Sequence, residues 1–210
     1  MNTIYIFFTI AAAVDFNSCE YATTNDQRIK WLEEGVVVTQ SILNKYNISS
    51  WVVQGTLLGA YRDKSMMSWT SDADIQTFTE NIALLCSSII MQEFNRLGYS
   101  VHTCLGNFAR VCRANVTGTS KSYITNSDTI ESRLDIYGAT LRTDGLYDVT
   151  FSPCKWNLTQ LFPLKPYKLI NNITFFGPKN PNPWLVMSYG QDWQTPIKYS
   201  GNVADKCHTE

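Results

Sequence analysis

The 210-residue chain is poor in histidine, in net charge and in long apolar segments, and each scarcity argues against a class of protein. Its only histidines are His102 and His208, so a histidine-centred zinc site or a Ser-His-Asp triad is poorly supplied. The formal net charge is -1, from 17 basic and 18 acidic side chains, whereas a nucleic-acid partner would favour a basic face. Beyond the first 13 residues, no apolar run is long enough for a transmembrane helix.

The chain also lacks internal repeats, low-complexity segments and any composition break that would mark a linker. Its hydrophobic content of 44% can fill a core, and this content argues against disorder. Once a leader is removed, the length is that of one domain. We therefore predict a single folded domain.

The N-terminus has the features of a signal peptide. Residues 4–13 form an apolar run that suits the hydrophobic region of a leader and is too short to span a bilayer. Small residues favour cleavage after Ala13, and residue 18 is the outer limit for the leader. No transmembrane anchor would remain after cleavage. Since no Lys or Arg precedes the run, a buried N-terminal strand is the alternative.

Glycosylation sequons and cysteines also favour the secretory pathway, either the ER or Golgi lumen or the extracellular space. Four N-x-S/T sequons begin at Asn47, Asn115, Asn157 and Asn172. An even number of cysteines fits three disulfides in an oxidising compartment, and the six are Cys19, Cys86, Cys104, Cys112, Cys154 and Cys207. A predicted hairpin turn at 105–107 favours pairing Cys104 with Cys112. A cysteine nucleophile is the alternative, but nothing nearby would lower a thiol pKa.

Hydrophobic periodicity predicts helices interleaved with strands. The predicted helices are at 26–46, 82–97 and 183–189, and the predicted strands are at 50–54, 74–78, 99–104, 108–114, 133–137 and 173–176. A helical turn is expected near Thr56. This order predicts an α+β domain, with α/β as the alternative.

A glycine-containing turn suits a phosphate group. The motif is G-T-L-L-G-A-Y-R at residues 55–62. Gly55 lets the backbone approach a ligand closely, and the following N–H groups and the Thr56 hydroxyl could meet a phosphate. Arg62 and Lys64 could add positive charge toward a donor's phosphates. The alternative is an ordinary strand-to-helix turn with solvated basic side chains.

Three aspartates follow this turn and suit a divalent cation. Asp72 and Asp74 lie at i and i+2, so on a strand both carboxylates face the same side. Two such oxygen ligands suit Mg²⁺ or Mn²⁺. Asp135 lies between apolar residues of a predicted strand, where aspartate is disfavoured unless something holds it. We predict that it is a third metal ligand or a general base, with an ion pair to Arg133 or another cation as the alternative.

These motifs resemble those of the LicD/fukutin family of phosphotransferases. The family pattern G-T-L-L-G-A-x-R, then W-D-D-D-I-D-I, aligns with residues 55–62 and 69–75. A later strand of the type L-D-I/V-F aligns with residues 134–137, L-D-I-Y. Two C-terminal motifs, F-P-L and Y-G-x-D-W-x-T-P, match 162–164 and 189–196.

The resemblance implies a nucleotidyltransferase-like fold over residues 26–198, followed by a tail at 199–210. That fold is a mixed β-sheet flanked by helices, here stabilised by disulfides. It also implies transfer of a phospho-alcohol, such as phosphocholine or ribitol phosphate, from a CDP-linked donor to a glycan hydroxyl. In that role Mg²⁺ or Mn²⁺ would bind the three aspartates, and the Gly-Thr turn would contact phosphate.

Three positions depart from the family pattern, because Ala73 replaces a bulky apolar residue, and Thr70 and Ser71 stand where the pattern has aspartates. Their loss lowers the charge of the site and could weaken its affinity for metal. A catalytically degenerate secreted binding module of the same fold is therefore one alternative. A D-x-D glycosyltransferase, which moves the sugar of a nucleotide-sugar donor, is the other.

Overall fold

The computed structural model describes residues 15–115, 132–149 and 155–196. The strands are β1 Asp15–Cys19, β2 Ser50–Val52, β3 Asp72–Phe78, β4 Tyr99–Leu105, β5 Phe108–Asn115, β6 Arg133–Leu141, β7 Leu146–Val149, β8 Lys155–Asn157, β9 Lys165–Lys168 and β10 Thr174–Gly177. The helices are α1 Asn25–Lys45, α2 Gln54–Leu58, α3 Ile82–Leu85, α4 Ser88–Arg96, α5 Leu158–Leu161 and α6 Asn182–Tyr189. The predicted leader, Cys154, Cys207 and the predicted tail lie outside the described residues.

Eight strands form one mixed sheet. Its main path runs β1-β5-β6-β3-β2, with β4 beside β5 and β7 joining β6 to β8. The β3–β6 pair is parallel, and the other described pairs are antiparallel. The strands β9 and β10 form a separate hairpin. The predicted mixed sheet flanked by helices is confirmed.

One face of the central strands is apolar and packs on α1. Alternation along β3 and β6 places Ala73, Ile75, Leu134 and Ile136 on this face, and all four are buried. The approach of α1 requires a glycine, because a Cβ at Gly35 would lie 2.6 Å from Leu134 Cδ1. The alternating residues Asp72 and Asp74 of β3 and Arg133 and Asp135 of β6 therefore project from the opposite face, here called the polar face.

The helix predicted at 82–97 is interrupted and forms two helices, α3 and α4. Between them Ser87 is extended, with φ -73° and ψ 152°, and Cys86 is bonded to Cys104 on β4. An extended residue cannot continue the α-helical hydrogen-bond ladder, so α4 begins anew at Ser88. The other predicted helices and strands are present, with ends shifted by a few residues.

The predicted Cys104–Cys112 disulfide is wrong. Among the described residues, the disulfides are Cys19–Cys112 and Cys86–Cys104. The predicted hairpin does form, but in its register Cys104 lies opposite Ala109 and Cys112 opposite Ser100, so the two cysteines are separated along the ladder. Disulfides fit an oxidising, non-cytosolic compartment.

The sequon asparagines that the structure describes with their side chains lie at the surface. They are Asn47, Asn157 and Asn172, and all three are exposed. Their glycosylation stays a prediction. Among the described residues, no helix combines the length and apolar character that a bilayer crossing requires.

Candidate active site

The strand register brings three charged side chains into one row across the sheet. On β6, Asp135 lies opposite Asp74 of the parallel strand β3 and opposite Arg110 of the antiparallel strand β5. Residues that pair across neighbouring strands project to the same face. The row Asp74–Asp135–Arg110 therefore crosses three strands on the polar face.

A second row lies two residues closer to the start of β3 and β6, on the same face. Asp72 is opposite Arg133, with Nη2 3.8 Å from Asp72 Oδ2. The Nε atom of Arg133 is also 3.7 Å from Asp135 Oδ2. Three carboxylates and two guanidinium groups thus share one surface.

Asp135 is held by a two-point ion pair with Arg110. The Arg110 Nε and Nη2 atoms donate to Asp135 Oδ1 and Oδ2 at 2.7 and 3.1 Å. Only 4% of Asp135 is exposed, and the Tyr137 hydroxyl lies 3.4 Å from its Oδ2. The ion pair considered as an alternative from the sequence is present, chiefly with Arg110 and at longer distance with Arg133.

Asp72 and Asp74 are crowded by negative charge. Burial raises the pKa of Asp74 well above its usual value, and the charges of Asp72 and Asp135 raise it further. Burial also raises the pKa of Asp72, although Arg133 opposes the shift. Asp72 and Asp74 are only partly buried as residues, and a cation bound between them would stabilise their ionised forms.

Thr56 fixes the backbone at Asp74. Its hydroxyl accepts a hydrogen bond from the Asp74 N–H at 2.8 Å, and the Val53 N–H donates to the Asp74 carbonyl at 3.1 Å. Thr56 is only 1% exposed. The short helix α2, which contains Gly55 and Thr56, therefore starts directly beside the D-x-D strand.

The side chains of Arg62 and Lys64 form hydrogen bonds with groups other than the three aspartates. Arg62 donates to both Asp63 carboxylate oxygens at 2.6 and 2.7 Å and to the Trp193 carbonyl at 3.2 Å. Lys64 is exposed and donates to the Tyr61 carbonyl at 2.9 Å. The π-helical turn Gly59–Asp63 thus joins the first motif to the C-terminal one.

This π-helical turn depends on a glycine. A Cβ at Gly59 would lie 2.5 Å from the Ser65 carbonyl oxygen. A larger residue at this position would therefore displace the backbone that follows the first motif.

The sequence reasoning did not identify Arg110, Tyr137 or Tyr189 as site residues. The available signal for Arg110 was a basic residue inside an otherwise largely apolar strand, F-A-R-V-C. Burial raises the pKa of Tyr189 on α6, and the charge of Asp74 adds to that shift.

The donor set fits a hard cation through two carboxylates. Oxygen ligands at Asp72 and Asp74 suit Mg²⁺ or Mn²⁺, and their mutual repulsion would be relieved by such an ion. In the described ranges, no three His, Cys, Asp or Glu side chains are grouped to share one metal ion. Asp135, proposed from the sequence as the third ligand, instead directs both oxygens to Arg110.

A groove of about 560 Å³ lies at the other end of the sheet, between α1, β2 and β10. Gln40, Asn44 and Asn47 line it, and none of its lining residues is charged. Ser50, another lining residue, pairs with Thr77 near the far end of β3 from Asp72. The groove is therefore separate from the carboxylates.

A family model and two relatives match this chain. Residues 47–180 match the model described as LicD/FKTN/FKRP, nucleotidyltransferase domain. The uncharacterized protein RP689 of Rickettsia prowazekii (strain Madrid E) is 27% identical over 215 residues, which cover 95% of this chain and 75% of the relative. RT0683 of Rickettsia typhi (strain ATCC VR-144 / Wilmington), also uncharacterized, is 27% identical over 165 residues, or 77% of this chain and 46% of that protein.

Solved structures show weaker similarity. The antibiotic-resistance factor ANT(2'')-Ia in solution has a TM-score of 0.40 and 13% identity, over 70% of this chain and 66% of that one. The lincomycin-bound lincosamide adenylyltransferase LnuA has a TM-score of 0.40 and 11% identity, over 69% of this chain and 78% of that one.

Proposed function

Because the chain belongs to the LicD/FKTN/FKRP nucleotidyltransferase family, we propose that it moves a phospho-alcohol from a CDP-linked donor to a glycan hydroxyl. Family membership supports a transferase. The proposal adds the donor, the acceptor, the need for Mg²⁺ or Mn²⁺ and a place in the secretory pathway. The transferred group would be of the phosphocholine or ribitol phosphate type.

One observation carries the proposal. The parallel register of β3 and β6 places Asp74 beside Asp135, with Asp72 on the same face. The D-x-D pair and the later strand aspartate, which lie far apart in the sequence, therefore converge on one surface. Transfer of a phosphoryl group requires this convergence, because charge must be stabilised and a proton removed at one place.

The chemistry assigns a role to each carboxylate. Asp72 and Asp74 would hold the divalent cation, which neutralises charge on the donor's diphosphate. The acceptor oxygen attacks the phosphorus that bears the alcohol, and the bond from that phosphorus to the CMP oxygen breaks. CMP leaves, and the acceptor's proton passes to Asp135. Thr56 would hold the backbone of Asp74 in place during this step.

A second candidate is a binding module of the same fold without turnover. Thr70, at a position where the family pattern has aspartate, donates its hydroxyl to the Asp72 carbonyl at 3.0 Å and so serves the local backbone. Together with the commitment of Asp135 to Arg110, this favours a site that binds a nucleotide donor but releases no CMP.

The test is CMP release by the purified protein with Mn²⁺ or Mg²⁺, across a panel of CDP-linked donors and a mixed glycan acceptor. We expect metal-dependent release from one donor, and a loss of about 10²-fold or more in Asp74→Asn. Asp148→Asn, a carboxylate with 48% side-chain exposure on β7, is the matched control and should retain activity. Donor binding without CMP release would support the binding module, and consumption of a nucleotide-sugar donor would support a glycosyltransferase.

A further inference from the structure

A site built from three carboxylates needs basic side chains if it is to hold a diphosphate. The basic residues assigned from the sequence are committed elsewhere. Arg62 directs two nitrogens to Asp63 and a third to the Trp193 carbonyl, and Lys64 binds the Tyr61 carbonyl. A basic side chain that binds the donor's phosphates is therefore expected on the polar face of the sheet, beside the aspartates.

Arg110 has the position that a phosphate ligand requires. It lies in the same row as Asp74 and Asp135, and its side chain is 23% exposed whereas that of Asp135 is 6% exposed. The Arg110 side chain is therefore more open to solvent than the carboxylate with which it pairs. The Phe108 ring, 5.2 Å from the guanidinium carbon, supports it by a cation–π contact.

The hydrogen-bonding geometry of Arg110 also suits a phosphate. Its Nε and Nη2 atoms form a two-pronged pair with a carboxylate, and the same planar fork matches two oxygens of a phosphate. Arg133, the other guanidinium of this face, holds Asp72 and Asp135 only at 3.7–3.8 Å. Of the two arginines, Arg110 thus makes the closer contacts to the carboxylates of this face.

We propose that Arg110 is the phosphate-binding residue of this site and exchanges Asp135 for the donor's phosphate when the donor binds. This inference rests on the proposed function. The exchange would free an oxygen of Asp135 when the donor is bound. That oxygen could then take the proton from the glycan hydroxyl that attacks the phosphorus. Arg110 would therefore couple donor binding to the availability of the base.

The proposal makes an unusual prediction for Asp135→Asn. Because an amide binds a guanidinium more weakly than a carboxylate does, the variant leaves Arg110 more available, and CDP should bind several-fold more tightly. Arg110→Lys keeps the charge but loses the fork, and should bind CDP about tenfold more weakly. Cytidine has no phosphate, so its affinity should be unchanged in both variants.

Calorimetric titrations with CDP and with cytidine test this, run without added metal and then with Mn²⁺. Arg110→Gln deprives the buried Asp135 of its two-point ion pair and could fail to fold, so the double variant Arg110→Gln/Asp135→Asn, which pairs two amides, is used with it. Arg142→Lys, an arginine paired with Asp144 at the surface, is the matched control. Thermal unfolding checks that each variant is folded.

The outcomes separate this inference from the proposed function. If the wild type binds CDP and releases CMP, but Arg110→Lys and the double variant bind CDP normally, Arg110 only positions Asp135 and the inference is wrong. The inference is also wrong if Asp135→Asn binds CDP more weakly. If the wild type neither binds CDP in preference to cytidine nor releases CMP, the proposed function fails and the inference with it.

Discussion

The hydroxyl of Thr56 illustrates how one buried atom organises the site. It accepts the Asp74 N–H at 2.8 Å, in a position with almost no access to solvent. The sequence predicted a contact of this hydroxyl with phosphate, and that role stays a proposal. The described geometry gives it an anchoring role, since the Asp74 N–H has this side-chain partner while the neighbouring strands set the register.

Replacement of Thr56 by valine should separate the two roles. Thr56→Val keeps the shape of the side chain but leaves the Asp74 N–H without an acceptor, so the free energy of unfolding should fall by about 1–3 kcal/mol. Thr56→Ser keeps the hydroxyl and should lose much less. Urea unfolding measures both variants. Unchanged stability in Thr56→Val, combined with weaker donor binding, would instead indicate that the hydroxyl serves only the ligand.

At the scale of the elements, helix α1 packs on the sheet and also forms hydrogen bonds with Met66 and Asn171, which lie outside the sheet. Glu33 of α1 is 6% exposed, and its carboxylate accepts hydrogen bonds from the Met66 N–H at 3.4 Å and from the Asn171 side chain. Met66 follows the π-helical turn, and Asn171 lies in the turn between β9 and β10. Burial raises the pKa of Glu33 above its usual 4.5, and the charge of Glu34 adds to the shift, although both hydrogen bonds oppose it.

This shift predicts a pH dependence of stability. Since the folded state holds the Glu33 proton more tightly than the unfolded state, stability is lost as the pH rises from about 4.5 through the raised pKa, and the loss is complete above it. Glu33→Gln does not ionise, so relative to the wild type it should become progressively more stable across this range. The variant also loses one carboxylate oxygen that accepts a hydrogen bond from Asn171. That loss changes the free energy of unfolding by an amount that does not depend on pH.

Thermal unfolding of the wild type and Glu33→Gln between about pH 4 and pH 8 measures this difference, with the exposed Glu80→Gln as the matched control. A difference between wild type and Glu33→Gln that stays constant over the whole range would contradict the assignment.

For the molecule as a whole, the disulfides close loops of very different length. Cys19–Cys112 joins residues 93 positions apart and fastens β1 to β5, whereas Cys86–Cys104 spans 18 positions and fastens the end of α3 to β4. The longer loop restricts the unfolded chain more strongly. The first disulfide also lies beside the site, because Cys112 pairs with Arg133 in the sheet.

Removal of Cys19–Cys112 should therefore lower the free energy of unfolding more than removal of Cys86–Cys104. Loop entropy predicts a loss of about 4.6 kcal/mol for Cys19→Ala/Cys112→Ala and about 3 kcal/mol for Cys86→Ala/Cys104→Ala. Urea unfolding gives the two values, and mass spectrometry of peptides prepared without reduction gives the pairing. Detection of a Cys104–Cys112 peptide, or the opposite order of stability, would reject this arrangement.

The local features of this protein can be predicted from its amino-acid sequence. Period-two alternation placed Asp72 and Asp74 on one face of a strand, and helical periodicity located α1. The ordered motifs at 55–62, 69–75 and 189–196 are specific enough to indicate the family without the fold. Each of these properties depends on residues close together in the chain, and local stereochemistry is readable from a local pattern.

Tertiary structure alone decided which distant residues meet. The parallel register of β3 and β6 sets Asp74 beside Asp135, and the β5–β6 register adds Arg110. The disulfide pairing and the break between α3 and α4 also depended on contacts across the sheet. Strand register is set by packing over the whole core, because sliding one strand moves every side chain on it. A short segment of sequence therefore does not contain enough information to predict the register.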